Sequence, residues 1–280
     1  MNEEAMSMNE SKKYYAGCDV GSTMTKAVII DDKGIVATAM MPSGIDPEQT
    51  AAKVLETACS QVEGLEPSGL SRLIGTGYGR NEVPFAHANV SEITCHAAGV
   101  HYCNPDVRTV LDIGGQDTKA IAMDENGRVR EFVMNDKCAA GTGRFLEMMS
   151  RIFNMDLDQF SDLSLKAKKV IPITSQCSVF AETEVISLLS KKNPPEDIAA
   201  GIQASIAKRG FTLLKRVGIQ PEVSLTGGCA KSMGLVKHLE RLLRLKLAPL
   251  PVDPQLMGAL GAAAEAAKTA GSGLKEASAS

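Results

Sequence analysis

The sequence predicts an α/β protein built as two similar lobes facing a cleft, and two observations carry that expectation. The stretch Asp19-Val20-Gly21-Ser22-Thr23-Met24-Thr25-Lys26 recurs as Asp112-Ile113-Gly114-Gly115-Gln116-Asp117-Thr118-Lys119, with Asp, an aliphatic residue, Gly, Thr and Lys at the same offsets. Each copy lies between apolar runs and precedes a hairpin signal, Asp31-Asp32-Lys33-Gly34 in the first and Asp124-Glu125-Asn126-Gly127 in the second. One three-stranded opening used twice, each time followed by helical patterns, is the mark of an internal duplication.

Taken in order, residues 1–13 are a polar lead-in and residues 14–104 form the first lobe. Its strands are expected at Tyr14–Val20, Ala27–Ile30, Ile35–Met40 and Ser71–Thr76, with helices at Asp46–Cys59 and Glu92–His101. The second lobe, 105–267, repeats the strands at Val107–Ile113, Ala120–Met123 and Val129–Met134. A helix from Cys138 to about Asn154, with Phe145, Met148, Met149 and Ile152 as its core stripe, comes next, then a helix at Leu157–Ala167 and a short strand at Val170–Thr174. Helices at Val179–Ser190 and Asn193–Arg216, the strand-turn-helix Val223–Ser232 and a small-residue helix around Gly258–Ala264 complete it. Ala97-Ala98-Gly99 and Gly258-Ala259-Leu260-Gly261 give two helices small faces that suit a close crossing at a hinge. Residues 268–280 are small and polar and are expected to be disordered.

Composition narrows the function. In 280 residues, 44% are hydrophobic and 22% charged, as in ordinary soluble globular proteins, and a net charge of −3 with no basic run argues against nucleic acid as a partner. No apolar stretch approaches the roughly 18 residues that span a bilayer. Seven cysteines are an odd number widely spread, unlike a secreted disulfide framework, and the N-terminus lacks the apolar core of a signal peptide. The expectation is a reducing cytoplasm.

Each repeated turn ends a strand on an acidic residue and continues with glycines, which lets backbone N–H groups approach an anion. That chemistry suits nucleotide phosphates, with the strand-end carboxylate able to hold hydrated Mg²⁺ and Ser22, Thr23 and Thr118 adding hydroxyls. Thr226-Gly227-Gly228, with Lys231 nearby, offers a glycine turn where adenine and ribose can lie close to the backbone, or simply a tight strand-helix turn. Cys138 and Cys177, 39 positions apart, each stand ahead of a predicted helix start, where unpaired N–H groups and the helix dipole favour a thiolate. Two such thiols are either buried structural cysteines or half of the ligand set of a four-iron cluster, which a monomer completes only by pairing with a second subunit. Cys18, Cys59, Cys95 and Cys103 read as buried thiols, and Cys229 has no evident role.

Together the motifs resemble the actin, Hsp70 and sugar-kinase superfamily of ATPases. Asn135-Asp136-Lys137-Cys138-Ala139-Ala140-Gly141-Thr142-Gly143-Arg144-Phe145 and Ser175-Gln176-Cys177-Ser178-Val179-Phe180-Ala181-Glu182-Thr183-Glu184 are similar to those of the ATP-dependent activators of 2-hydroxyacyl-CoA dehydratases, the group that also holds the benzoyl-CoA reductase ATPase subunits. The resemblance implies a homodimer sharing one [4Fe-4S] cluster through Cys138 and Cys177. It also implies ATP with Mg²⁺ bound by Asp19, Gly21, Ser22, Thr23, Lys26, Gly114, Gly115, Asp117, Gly227, Gly228 and Lys231, with Asp112 and Gln116 acting in hydrolysis. The implied activity is one-electron donation to a partner 2-hydroxyacyl-CoA dehydratase, which then eliminates water through a ketyl radical, the electron coming from a reductant such as ferredoxin or flavodoxin. A benzoyl-CoA-type or double-cluster reductase as partner, a small-molecule kinase, or a filament- or chaperone-like ATPase are the alternatives on the same fold.

Overall fold

The computed structural model describes residues 12–175 and 177–271. The first sheet is formed by β1 (Tyr15–Val20), β2 (Met24–Asp31), β3 (Gly34–Pro42), β4 (Arg72–Thr76) and β5 (Ala88–Asn89), in the order β3-β2-β1-β4-β5, with helices α1 (Pro47–Cys59) and α2 (Glu92–Cys103). The second sheet, β6 (Thr109–Ile113), β7 (Thr118–Met123), β8 (Val129–Asn135) and β9 (Val223–Thr226), runs β8-β7-β6-β9. The remaining helices are α3 (Gly143–Ile152), α4 (Leu157–Leu165), α5 (Ser178–Ser190), α6 (Pro195–Val217), α7 (Met233–Leu243) and α8 (Met257–Gly271). In each sheet two antiparallel hairpins are followed by a parallel strand, so the sequence repeat is a structural repeat.

Alternation along the strands sorts side chains into layers. Ala27 and Ile29 of β2 pack under α1, while Val28 and Ile30 face the middle of the molecule. Leu111 and Ile113 of β6 pack beneath α6, and Val110 faces the middle. That middle layer is α2 and α8, whose Ala97, Val100, Ala259, Leu260 and Ala263 fill the space between the sheets. The C-terminal helix therefore returns onto the first sheet, where a Cβ on Gly17 of β1 would strike the Ala259 carbonyl. The α2–α8 crossing is as close as the small residues foretold: a Cβ on Gly99 would meet the Met257 carbonyl, and one on Gly261 the Cys95 carbonyl.

Three local expectations need correction. Residues 170–174 form no strand, because their backbone donors are taken by side chains and a helix carbonyl: Ile171 N–H donates to Asp197 O, and Thr174 N–H to the Glu184 carboxylate. The segment after Cys138 is not one helix. Cys138 caps a three-residue 3₁₀ turn, Ala139–Gly141; Thr142 is extended (φ −120°, ψ 172°), and α3 begins at Gly143. Glycines at 141 and 143 weaken helix propagation, and the first N–H groups of α3 are used elsewhere. At the C-terminus, residues 268–271 continue α8 and are not part of a disordered tail. The rest of that tail, the first eleven residues of the lead-in and Gln176 lie outside the described residues.

The tight crossing yields a prediction. Gly261→Val forces branched carbon atoms into the Cys95 carbonyl and should destabilise the fold by about 2 kcal/mol, as overpacking does, lowering the urea midpoint. An unchanged midpoint would mean the two helices are free to separate.

Candidate functional site: a cleft between the duplicated turns

The spacing of the repeated motif places its two charged residues side by side. In each hairpin the Asp that ends the first strand pairs in register with the Lys seven positions on, Asp19 with Lys26 and Asp112 with Lys119. Lys26 Nζ lies 3.0 Å from Asp19 Oδ2. Lys119 is more heavily engaged, at 3.4 Å from Asp112, 2.7 Å from Asp117 and 3.5 Å from Glu92 of α2. Burial favours neutral Lys119, but these three carboxylates outweigh it and raise its pKa. Burial likewise opposes charge on Asp112, yet His96, Lys119, a hydrogen bond from Thr226 Oγ1 at 2.8 Å and Lys26 hold its carboxyl at about 2.

The two turns meet. A Cβ on Gly115 would collide with Thr23 Oγ1, which is buried and has no hydrogen-bond partner among the described residues. Between the turns lies a cleft of about 530 Å³. Asp19, Gly21, Ser22, Thr23 and Lys26 line it from the first lobe; Asp112, Gly114, Gly115, Gln116, Asp117, Gly227, Gly228 and Lys231 line it from the second. Gly227 adopts φ +82°, and a Cβ there would lie 2.9 Å from Asp112 Oδ1, so the third turn can come this close to the strand-end carboxylate only as glycine. Lys231 is drawn to Asp253 at 2.6 Å.

Cys138 and Cys177 do not line the cleft; both are free thiols, Cys138 half-buried and Cys177 exposed at the N-cap of α5. The Cys138 segment nonetheless borders the cleft, since Asp136 on one side and Gly143, Leu146 and Glu147 on the other are part of its lining. Gly143 N–H donates to Gly114 O at 2.8 Å and Arg144 N–H to Gly115 O at 2.9 Å. The start of α3 is thus hydrogen-bonded to the second phosphate-type turn. Thr118, expected to offer its hydroxyl to a phosphate, is instead buried and donates to Gly141 O at 2.8 Å.

The loop leading to Cys177 is held from its own helix. The Glu184 carboxylate accepts from Thr174 N at 2.9 Å, Thr174 Oγ1 at 2.8 Å and Ser175 N at 2.8 Å. Burial works against its charge, but these hydrogen bonds hold the carboxyl at about 2. Cys18, Cys59 and Cys95 are buried as expected, and Cys103 is partly so. Cys229 lines the cleft, and burial pushes its thiol up to about 12, so it stays neutral. Sequence reasoning missed His96 and Glu92: a buried histidine with Nδ1 3.5 Å from Asp112, and an acid at the start of α2, reach the site only through tertiary packing.

The profile of the BadF/BadG/BcrA/BcrD ATPase family matches residues 16–266. The chain belongs to this family. Among its relatives, the 2-hydroxyisocaproyl-CoA dehydratase activator of Clostridioides difficile is 43% identical, over 89% of this chain and 93% of its own. The (R)-2-hydroxyglutaryl-CoA dehydratase activating ATPase of Acidaminococcus fermentans is 44% identical, over 92% and 98%. The solved activator of the 2-hydroxyisocaproyl-CoA dehydratase from Clostridium difficile with bound ADPNP superposes with a TM-score of 0.87 at 42% identity, covering 95% of this chain and all of that one. A ROK hexokinase from Thermus thermophilus, at 16% identity and a TM-score of 0.51 over 93% of this chain and all of its own, shares the fold alone. The architecture is the duplicated actin and sugar-kinase ATPase fold.

The Glu184 clasp gives a second prediction. A carboxyl depressed below its ordinary 4.5 stabilises the clasp fully above that pH and loses it as pH falls toward 2. Glu184→Gln removes the charge and one acceptor, so amide exchange at Thr174 and Ser175 should quicken by about tenfold at neutral pH. The variant should also lack the acid-dependent opening of the parent; identical exchange in both would show that the clasp does not hold the loop.

Proposed function

We propose that this chain is an ATP-driven one-electron donor that activates a 2-hydroxyacyl-CoA dehydratase, working as a homodimer with one shared [4Fe-4S] cluster. The observation that carries the reading is the direct hydrogen bonding of the second phosphate-type turn to the segment that bears Cys138. Membership of an ATPase family whose relatives include dehydratase activators supports the reaction and the partner.

The residues present suit these groups. Thr23 Oγ1 is a buried donor awaiting an acceptor at the meeting point of the two turns, where the triphosphate would sit. Asp19 and Asp112 are already paired with lysines, and no three metal-binding side chains cluster among the described residues. Mg²⁺ would therefore be held by the nucleotide and by water, with these carboxylates one water away. Gln116, exposed on the turn, would orient the attacking water, and charged Asp112 would accept a hydrogen bond from it; both line the cleft. Gly227, Gly228 and Lys231 form the adenosine side.

A cluster bound by four thiolates supplies low-potential one-electron transfer. Two thiols per chain match a cluster shared by two chains, and exposed apolar side chains accompany both of them. Phe132 and Met134 precede Cys138 on the edge strand β8, and Val179 and Phe180, 64% and 68% exposed, follow Cys177 on α5. A second copy of the chain would cover them. Closure of the lobes about the α2–α8 crossing moves the turn, and the turn holds the Cys138 segment, so nucleotide state becomes exposure and hydrogen bonding at the sulfurs. An upstream donor such as ferredoxin or flavodoxin would recharge the protein in a reducing cytoplasm.

Cys138→Ala and Cys177→Ala should each cut iron after anaerobic reconstitution from about four per two chains to near zero, with ADP affinity within about twofold of the parent. Loss of nucleotide binding along with iron would make the cysteines structural. A parent chain that stays iron-free would overturn the cluster.

A further inference from the structure

The motif is duplicated, but its threonine has different partners in the two copies. Thr25 Oγ1 meets Ser43 Oγ at 2.9 Å, and Ser43, just past β3, donates to Gly21 O at 2.6 Å and through its N–H to Thr23 O at 2.9 Å. The first turn is thereby closed on itself. Thr118 occupies the same place in the second copy, in register with Ile113 on one side and Asn135 on the other. The chain past β8 carries Cys138 instead of a single serine, and Thr118 donates to Gly141 O within it. Asn135 Nδ2 donates to Cys138 O at 3.2 Å, and Gly114 O and Gly115 O take the Gly143 and Arg144 N–H groups. Four anchor points, at residues 138, 141, 143 and 144, thus tie this segment to the second hairpin.

In a trans peptide the carbonyl and the next N–H point in opposite directions. With Gly114 O and Gly115 O aimed at α3, the Gly115 and Gln116 N–H groups point away from it, and both residues line the cleft. A phosphate drawing on those N–H groups turns the same peptide planes that hold the first residues of α3. Thr118 supplies the side-chain anchor of that linkage, buried and outside the cleft lining.

We propose that Thr118 is a positioning residue that transmits occupancy of the second turn to the Cys138 segment, a role that rests on the reading of Cys138 as the residue whose placement ATP controls. Its geometry needs no cluster, so the iron-free full chain, with Mg²⁺ supplied alongside the nucleotide, tests it. The rate of Cys138 alkylation by iodoacetamide, followed by mass spectrometry with and without the non-hydrolysable analogue ADPNP, should differ by about fivefold or more in the parent, the low end of ordinary site-to-site coupling. Thr118→Val removes the hydroxyl at nearly constant volume and should erase that difference while ADPNP affinity stays within about twofold. Thr118→Ser should restore it. A parent without nucleotide dependence, or a Thr118→Val chain that keeps it, overturns the proposal. If the Val variant loses nucleotide binding, hydrogen exchange of the 141–146 segment in the parent decides: a change on adding ADPNP supports the linkage, and none refutes it. Iron binding plays no part in these readouts, so failure of the cluster and failure of the linkage are separately visible.

Discussion

Two backbone hydrogen bonds, from Gly143 and Arg144 to the carbonyls of Gly114 and Gly115, are the constraint on which the rest of the molecule turns. They join a phosphate-type turn to the chain that bears Cys138, with no side chain between them. Glycine at 114, 115 and 143 keeps the surroundings of that link free of side-chain atoms, since a Cβ on Gly114 would meet Asp117 Oδ1. A Cβ on Gly143 would press on Gly114 O at 3.1 Å, and one on Gly115 would collide with Thr23 across the cleft. The same small residues that let the turns meet leave Thr23 Oγ1 without a partner among the described residues, a buried donor that an anion would complete.

Charge organisation around that link is asymmetric. The first turn holds one Asp–Lys pair, whereas the second holds Asp112, Asp117 and Glu92 around a single buried lysine, with His96 and Thr226 completing the shell of Asp112. Glu92 and His96 belong to α2, one of the two helices between the sheets, so the electrostatics of the second turn are tied to the inter-lobe layer. A Cβ on Gly258 at the start of α8 would lie 2.7 Å from Asp19 Oδ2 and 3.2 Å from His96 Nε2, which places the first turn against the same helices. The surroundings of both carboxylates are therefore set by the same pair of helices.

Much of this was legible because the signal was local or repeated. The duplicated glycine turns between apolar runs located both hairpins and their strand-end carboxylates, while the unbroken apolar run Val28, Ile29, Ile30 suits a strand buried on both faces. What escaped the sequence was decided by distant partners. Val170–Thr174 has a strand's apolar character, but Asp197 and Glu184 capture its backbone donors before any strand can pair with it. Cys138 reads as the start of a long helix until the N–H groups of Gly143 and Arg144 are spent on a turn almost thirty residues earlier. Thr118 shows the limit most plainly: its place in the motif was correct, while the direction of its hydroxyl depends on residue 141.

The measurement that bears most directly on this account is a dithionite titration of the anaerobically reconstituted protein, followed by electron paramagnetic resonance, with and without ADPNP. The account predicts a nucleotide-dependent change in midpoint potential of about 60 mV or more, equivalent to a tenfold change in a one-electron equilibrium, together with an altered spectrum. The same potential and the same spectrum in both states would contradict it, because nucleotide at the second turn would then leave the cysteines undisturbed.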